Sequence, residues 1–129
     1  AKHIINTKVK HREEFRPFGA TILKEHQKDY FKLDIYNPYM LYYDYVIKDV
    51  PAITHVDGTC RYQTLGNENK VFRSLLEEFY KITGVPLLLN TSLNKGGKPI
   101  AGCKRDALGI LHDTDLDVLV YGDTIYANT

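Results

Sequence analysis

The stretch that organises this chain is Val85–Asn94, VPLLLNTSLN. Val85, Leu87, Leu88 and Leu89 form a short apolar run behind Gly84 and Pro86, the pattern of a strand buried on both faces. The run ends at Asn90, Thr91, Ser92 and Asn94, and Lys95, Gly96, Gly97, Lys98 and Pro99 then predict a loop. Polar side chains where a buried strand exits into a glycine-rich loop are placed as ligand contacts are in open α/β sheets. The same residues can equally form a turn that hydrogen-bonds its own backbone.

Upstream of this strand, Asn67–Ile82 carries Val71, Phe72, Leu75, Leu76, Phe79 and Tyr80 at helical spacing. Asn67 or Asn69 is suited to cap that helix and Gly84 to end it. Further back, Ala52–His55 and Thr59–Leu65 read as two strands, with Asp57–Gly58 as a hairpin turn. Cys60, Tyr62 and Thr64 alternate with Arg61, Gln63 and Leu65, so Arg61 needs a carboxylate, a phosphate or an edge position. His55 has two readings, a base or a hydrogen-bonded structural residue. Met40–Ile47 is a tyrosine-rich strand whose rings either pack on a sheet or stack on a base. Ala20–Leu23 predicts a strand and Glu25–Phe31 a short helical turn.

At the front, Ile4, Ile5 and Val9 give residues 2–11 a helical spacing. Lys10, Arg12 and Arg16 crowd the end of that segment, and Arg16–Pro17 breaks any helix there. Such a cluster suits capture of phosphate or carboxylate, or it is surface charge neighboured by Glu13 and Glu14. Downstream of the loop, Lys104–His112 predicts a helix with Ala107, Leu108 and Leu111 inward. Leu116–Tyr121 and Thr124–Tyr126 predict strands about Gly122–Asp123. Mixed strands and helices, with hairpins and a helical crossover, indicate an α/β or α+β mixed sheet with helices packed on it.

The chain has 129 residues, of which 43% are hydrophobic and 26% charged, the balance of one globular domain with one core. No apolar run approaches a membrane span and no secretory signal pattern appears. The net charge of +1 argues against a polyanion binder by bulk charge. Charge is uneven, however: residues 1–32 hold eight Lys or Arg against four Asp or Glu. Cys60 and Cys103 match no metal-ligand spacing, and free thiols in a reducing, cytoplasmic compartment are the simpler expectation.

Six blocks taken together resemble the C-terminal, YrdC-like domain of the O-carbamoyltransferases of nodulation-factor and antibiotic tailoring. They are VKHREEFRPF (9–18), PYM (38–40), PAITHVDGTCRYQTL (51–65), TGVPLLLNTSLN (83–94), GKPI (97–100) and LDVLVYGD (116–123). The resemblance implies a YrdC-like twisted mixed sheet that binds ATP, with Mg²⁺, and carbamoyl phosphate. Carbamate released from carbamoyl phosphate attacks the α-phosphate, carbamoyl-adenylate forms and pyrophosphate leaves. A separate actin-like-fold transferase domain, which holds the family's metal site, then passes the carbamoyl group to an acceptor hydroxyl. That domain and the first segment of the YrdC-like domain are expected to lie outside this sequence. No metal site, membrane contact or nucleic-acid partner is expected within it.

Carried over residue by residue, the resemblance makes Lys10 and Arg12 the family's K-x-R, and Ser92 and Asn94 its S-x-N. Arg16, Arg61 and Asn90 stand where further phosphate or carbamoyl contacts are expected, with His55 and Thr59 as additional substrate-binding candidates. Gly97–Lys98–Pro99 departs from the usual Gly-Glu-Pro, Leu93 replaces a Phe, and Cys103–Lys104 replaces a helix-starting Thr-Pro or Ser-Pro. That last helix is therefore expected to lack its usual cap.

Overall fold

The computed structural model describes residues 1–129 as two compact units. One comprises Ala1–Arg16 with Ser92–Thr129; the other is the continuous segment Pro17–Thr91.

Pro17–Thr91 is built on a four-stranded mixed sheet containing β1 (Gly19–Leu23), β2 (Tyr43–Tyr45), β3 (Thr59–Leu65) and β4 (Leu87–Asn90), in the order β2-β3-β1-β4. β1 pairs parallel with β3 and antiparallel with β4, and β2 pairs antiparallel with β3. Alternation decides the faces: Cys60, Tyr62 and Thr64 all point inward and are fully buried, as their spacing predicts. The first core gathers Ala20, Ile22, Tyr30, Phe31, Ile53, Cys60, Tyr62 and Leu87. Phe31 and Tyr62 stack within it at 4.0 Å between ring centroids. Burial pushes the Cys60 thiol up to about 12, so this cysteine is an inert core residue.

Helix α2 (Lys70–Thr83) covers part of the opposite face. The Asn69 side chain accepts from the Phe72 amide at 3.0 Å, and Gly84 ends the helix in the left-handed conformation, φ 71°. Leu76, with Phe72, Phe79 and Tyr80, packs on Leu23, Leu65 and Leu88. The apolar stripe is wider than the contact it makes: Val71 and Leu75 are 84% and 61% exposed rather than inward.

Three other expectations are corrected. Ala52–His55 is a turn, not a hairpin strand. Ile53 N–H and the Thr54 hydroxyl both return to the Val50 carbonyl, at 3.2 and 2.9 Å, and curl the chain. Both edges of β3 are already taken, by β1 and β2. Met40 sits at φ 56°, so the tyrosine strand shortens to Tyr43–Tyr45. The Leu-rich strand begins at Leu87 and lies at one end of the sheet, with Leu87 buried and Leu88, Leu89 and Asn90 only partly so.

In the other unit, α1 (Lys2–Ile4) runs into a π-helical segment (Ile5–Lys10). Helix α3 (Lys104–Asp113) packs Ala107 and Leu111 on Leu119 of the hairpin β5 (Val118–Tyr121) and β6 (Thr124–Ala127). The expected loss of the α3 cap is present, since Cys103 makes no side-chain cap bond to the helix. Asp106 compensates from inside the first turn, accepting from the Gly102 amide at 3.1 Å.

Leu76 is the buried centre of the α2–sheet contact, so Leu76→Ala is expected to cost about 2–5 kcal/mol. Urea unfolding measures it; a loss below about 1 kcal/mol would show that α2 does not depend on this contact.

Candidate functional site

The ammonium of Lys10 is the focus of the unit formed by the two chain ends. Lys10 ends the π-helical segment and is only 2% exposed. Its Nζ donates to the Ser92 carbonyl at 2.6 Å and to Asn94 Oδ1 at 2.7 Å, with Ser92 Oγ at 3.5 Å. These acceptors are all neutral, and the charges that act on Lys10 are the cations Arg12 and Arg16. Burial first, and repulsion by those two arginines second, push its pKa down to about 8.

The S-x-N loop is shaped to hold that ammonium. Ser92 Oγ donates to Asn94 Oδ1 at 2.6 Å, so the amide oxygen faces both groups. Asn94 Nδ2 donates to the Lys98 carbonyl at 2.6 Å and closes the glycine-rich loop behind it. Gly96 brings this loop onto the Lys10 backbone. Its N–H donates to the Lys10 carbonyl, and a Cβ at Gly96 would lie 2.9 Å from that same oxygen and 3.2 Å from the His11 carbonyl. Only glycine permits that approach. Lys95 pairs with Asp113 at 2.9 Å, which ties the loop to the end of α3.

Arg12 is partly buried, and its Nε donates to Asn6 Oδ1 at 2.7 Å. Burial, then Arg16, lower its pKa, against a smaller opposing effect of Glu13. Arg16 is half-exposed and 3.6 Å from Glu13. Lys10, Arg12 and Arg16 thus form one cationic group, and Ser92 and Asn94 join it.

The remaining candidates belong to the other unit. Arg61 is exposed on β3, opposite Tyr43 in register. Asn90 Nδ2 donates to Thr21 Oγ1 at 2.8 Å, and Thr21 donates to Gln63 Oε1 at 3.1 Å, a polar line across three strands. Thr59 donates its hydroxyl and its amide to Asp57 Oδ1, at 2.7 and 3.0 Å. His55 closes the Asp57–Gly58 turn through its backbone, and its ring stands edge-on to Tyr43 at 6.2 Å. Thr59 and Asn90 are therefore engaged in local structure. The reading of residues by charge missed Asn6 and Gly96; a polar Asn amid Ile4, Ile5 and Val9 was the available signal.

This mixed α/β chain carries a cluster of a lysine, two arginines and an S-x-N loop. The family model described as Carbamoyltransferase C-terminus matches residues 1–128, and the chain belongs to that family. It is 39% identical to nodulation protein NolNO of Sinorhizobium fredii over 94% of this chain and 19% of that protein. Identity to nodulation protein NolO of Bradyrhizobium diazoefficiens is 37%, over 94% of this chain and 24% of that one. The 3'-hydroxymethylcephem-O-carbamoyltransferase of Streptomyces clavuligerus is 36% identical over 95% of this chain and 24% of that enzyme. The chain spans about a fifth to a quarter of the length of the curated relatives it matches. No helix is long and apolar enough to cross a membrane.

The low pKa of Lys10 has a definite sign for stability. The folded value, about 8, lies below the unfolded value of 10.5. The penalty of the buried ammonium is therefore full below pH 8 and is relieved as pH rises toward 10.5. Guanidinium unfolding at stepped pH should show stability rising with pH across that window relative to Lys10→Met; parallel pH profiles would mean that Lys10 titrates normally.

Proposed function

We propose that this chain is the ATP- and carbamoyl-phosphate-binding module of an O-carbamoyltransferase. The supporting observation is a buried lysine held only by neutral acceptors and flanked by two arginines. Positive charge concentrated in this way is stabilised by an anion, and polyphosphate supplies the most charge per contact. In the proposed reaction water hydrolyses carbamoyl phosphate to carbamate and inorganic phosphate. A carbamate oxygen bonds to the α-phosphorus of ATP, the bond to the β-phosphate oxygen breaks, and pyrophosphate leaves with its electrons. Nothing in this sequence demands a nucleophilic side chain. The protein's task is to hold two anions together and to neutralise charge that builds at phosphorus.

Lys10 and Arg12 are assigned to the phosphates, with Arg16 as an outer cation. Ser92 and Asn94 orient Lys10, and the hydroxyl of Ser92 is suited to donate to a phosphate oxygen once it leaves Asn94. Arg61 is a separate candidate contact. Asn90 and Thr59 would each have to exchange a protein partner for a ligand, and His55 is proposed for binding rather than proton transfer. Mg²⁺ would arrive with ATP. Transfer to an acceptor hydroxyl is assigned to a domain or partner chain of actin-like fold. Two free cysteines and a nucleotide substrate fit a cytoplasmic setting.

Calorimetric titration with ATP and Mg²⁺, with and without carbamoyl phosphate, tests the proposal. Binding should tighten when both ligands are present. Lys10→Ala and Arg61→Ala should each weaken ATP binding by about 1.5–3 kcal/mol, the loss of one charge-assisted contact. Unchanged affinity in both variants would falsify the assignments.

A further inference from the structure

Asn6 bonds directly to the cationic group through Arg12 and is fully buried. Its carbonyl accepts from the His11 and Arg12 amides, the latter at 2.9 Å. Its Nδ2 donates to the Glu14 and Arg16 carbonyls at 3.1 and 2.8 Å. Its Oδ1 accepts from Arg12 Nε at 2.7 Å. One side chain thus fixes the turn that follows the π-helical segment and the plane of the Arg12 guanidinium.

The chemistry of the tether matters as much as its geometry. A carboxylate in this position would hold Nε equally well, but it would neutralise the cation and offer an anionic ligand a repulsive neighbour. An amide orients the fork and adds no charge. It also has the N–H donors that the two carbonyls require, which a carboxylate lacks. Buried amides that satisfy every hydrogen-bonding group hold one geometry strongly.

We infer that Asn6 is a positioning residue, a neutral tether that orients Arg12 for an anionic ligand and adds no charge of its own. This rests on the phosphate-binding reading above and names a determinant of it that charge alone does not reveal.

The test uses Asn6→Asp, Asn6→Leu, Arg12→Ala and the double variant Asn6→Asp/Arg12→Ala. The first readout needs no ligand: the Arg12 Nε–Hε proton, followed by NMR, should exchange slowly in the parent chain and rapidly in Asn6→Leu. The second is ATP affinity against salt concentration. Asn6→Asp should bind ATP about tenfold or more weakly, the scale of one charge-assisted contact. Its salt dependence should be shallower, and its loss should be less than additive with that of Arg12→Ala, because the two share one guanidinium. A purely structural role would lower the melting temperature and leave salt dependence and coupling unchanged.

Rapid exchange of Nε–Hε in the parent chain overturns the inference. So does an Asn6→Asp variant with parental affinity, or one whose loss adds fully to that of Arg12→Ala. Absence of ATP binding in the parent chain would overturn the phosphate-binding reading and, with it, the ligand-directed half of this inference. The exchange measurement would then decide the tether alone.

Discussion

The bonds from Lys10 to the Ser92 carbonyl and Asn94 amide are the constraint on which the candidate site depends. An ammonium in a nearly closed environment must have acceptors, and each one missing would cost more than an ordinary hydrogen bond gains. The loop from Ser92 to Lys98 is accordingly bent around it. Asn94 faces Lys10 with its oxygen and the loop backbone with its nitrogen, and the approach of Gly96 leaves no room for a side chain. The acceptors satisfy geometry without cancelling charge. That is the difference between a salt bridge, which is self-contained, and an electropositive site, which retains attraction for an incoming anion.

The two units show different ways of managing polarity. In Pro17–Thr91, buried polar side chains serve the scaffold. Asn37 accepts from the Leu41 amide and donates to the Tyr42 and Tyr62 carbonyls, at 2.7, 2.9 and 2.8 Å. Thr64 joins it to Gln27, whose amide in turn donates to Asp34 and Ile35. This network fixes the long connection between β1 and β3. The one buried carboxylate of this unit, Asp44, accepts from the Leu33 and Tyr45 amides at 2.8 and 2.7 Å. In the other unit the buried polar groups include a formal cation, and the partners around it are arranged to orient rather than to neutralise.

Much of this was legible in the sequence because periodicity and end signals agree. Asn69 and Gly84 bracket α2 and alternation sorted β3, whereas the front helical segment ends at Lys10, well before the Arg16–Pro17 breaker. The family resemblance joined Lys10 to the S-x-N loop, which no local pattern does. The failures have one cause, namely that local patterns do not count available partners. Ala52–His55 looks extended, yet β3 already has a strand on each side. Val71 and Leu75 are apolar at helical spacing, yet the face that α2 presents to the sheet is filled by Phe72, Leu76, Phe79 and Tyr80. Asn6 escaped because its five bonds are to the turn that follows it, and its burial is a product of that turn.

Lys10 and Ser92 are separated by 82 positions in the chain. Closing such a loop in an unstructured chain costs several kcal/mol of entropy before any bond forms, on the order of (3/2)RT ln n plus a constant. Most of that loop is also closed by the antiparallel register of β1 and β4, which sets Gly19 opposite Asn90. The buried cation is completed only when both Lys10 and the Ser92–Asn94 loop are in place. A ligand that engages this group binds only the finished structure, so its binding energy adds directly to the resistance of the chain ends to unravelling.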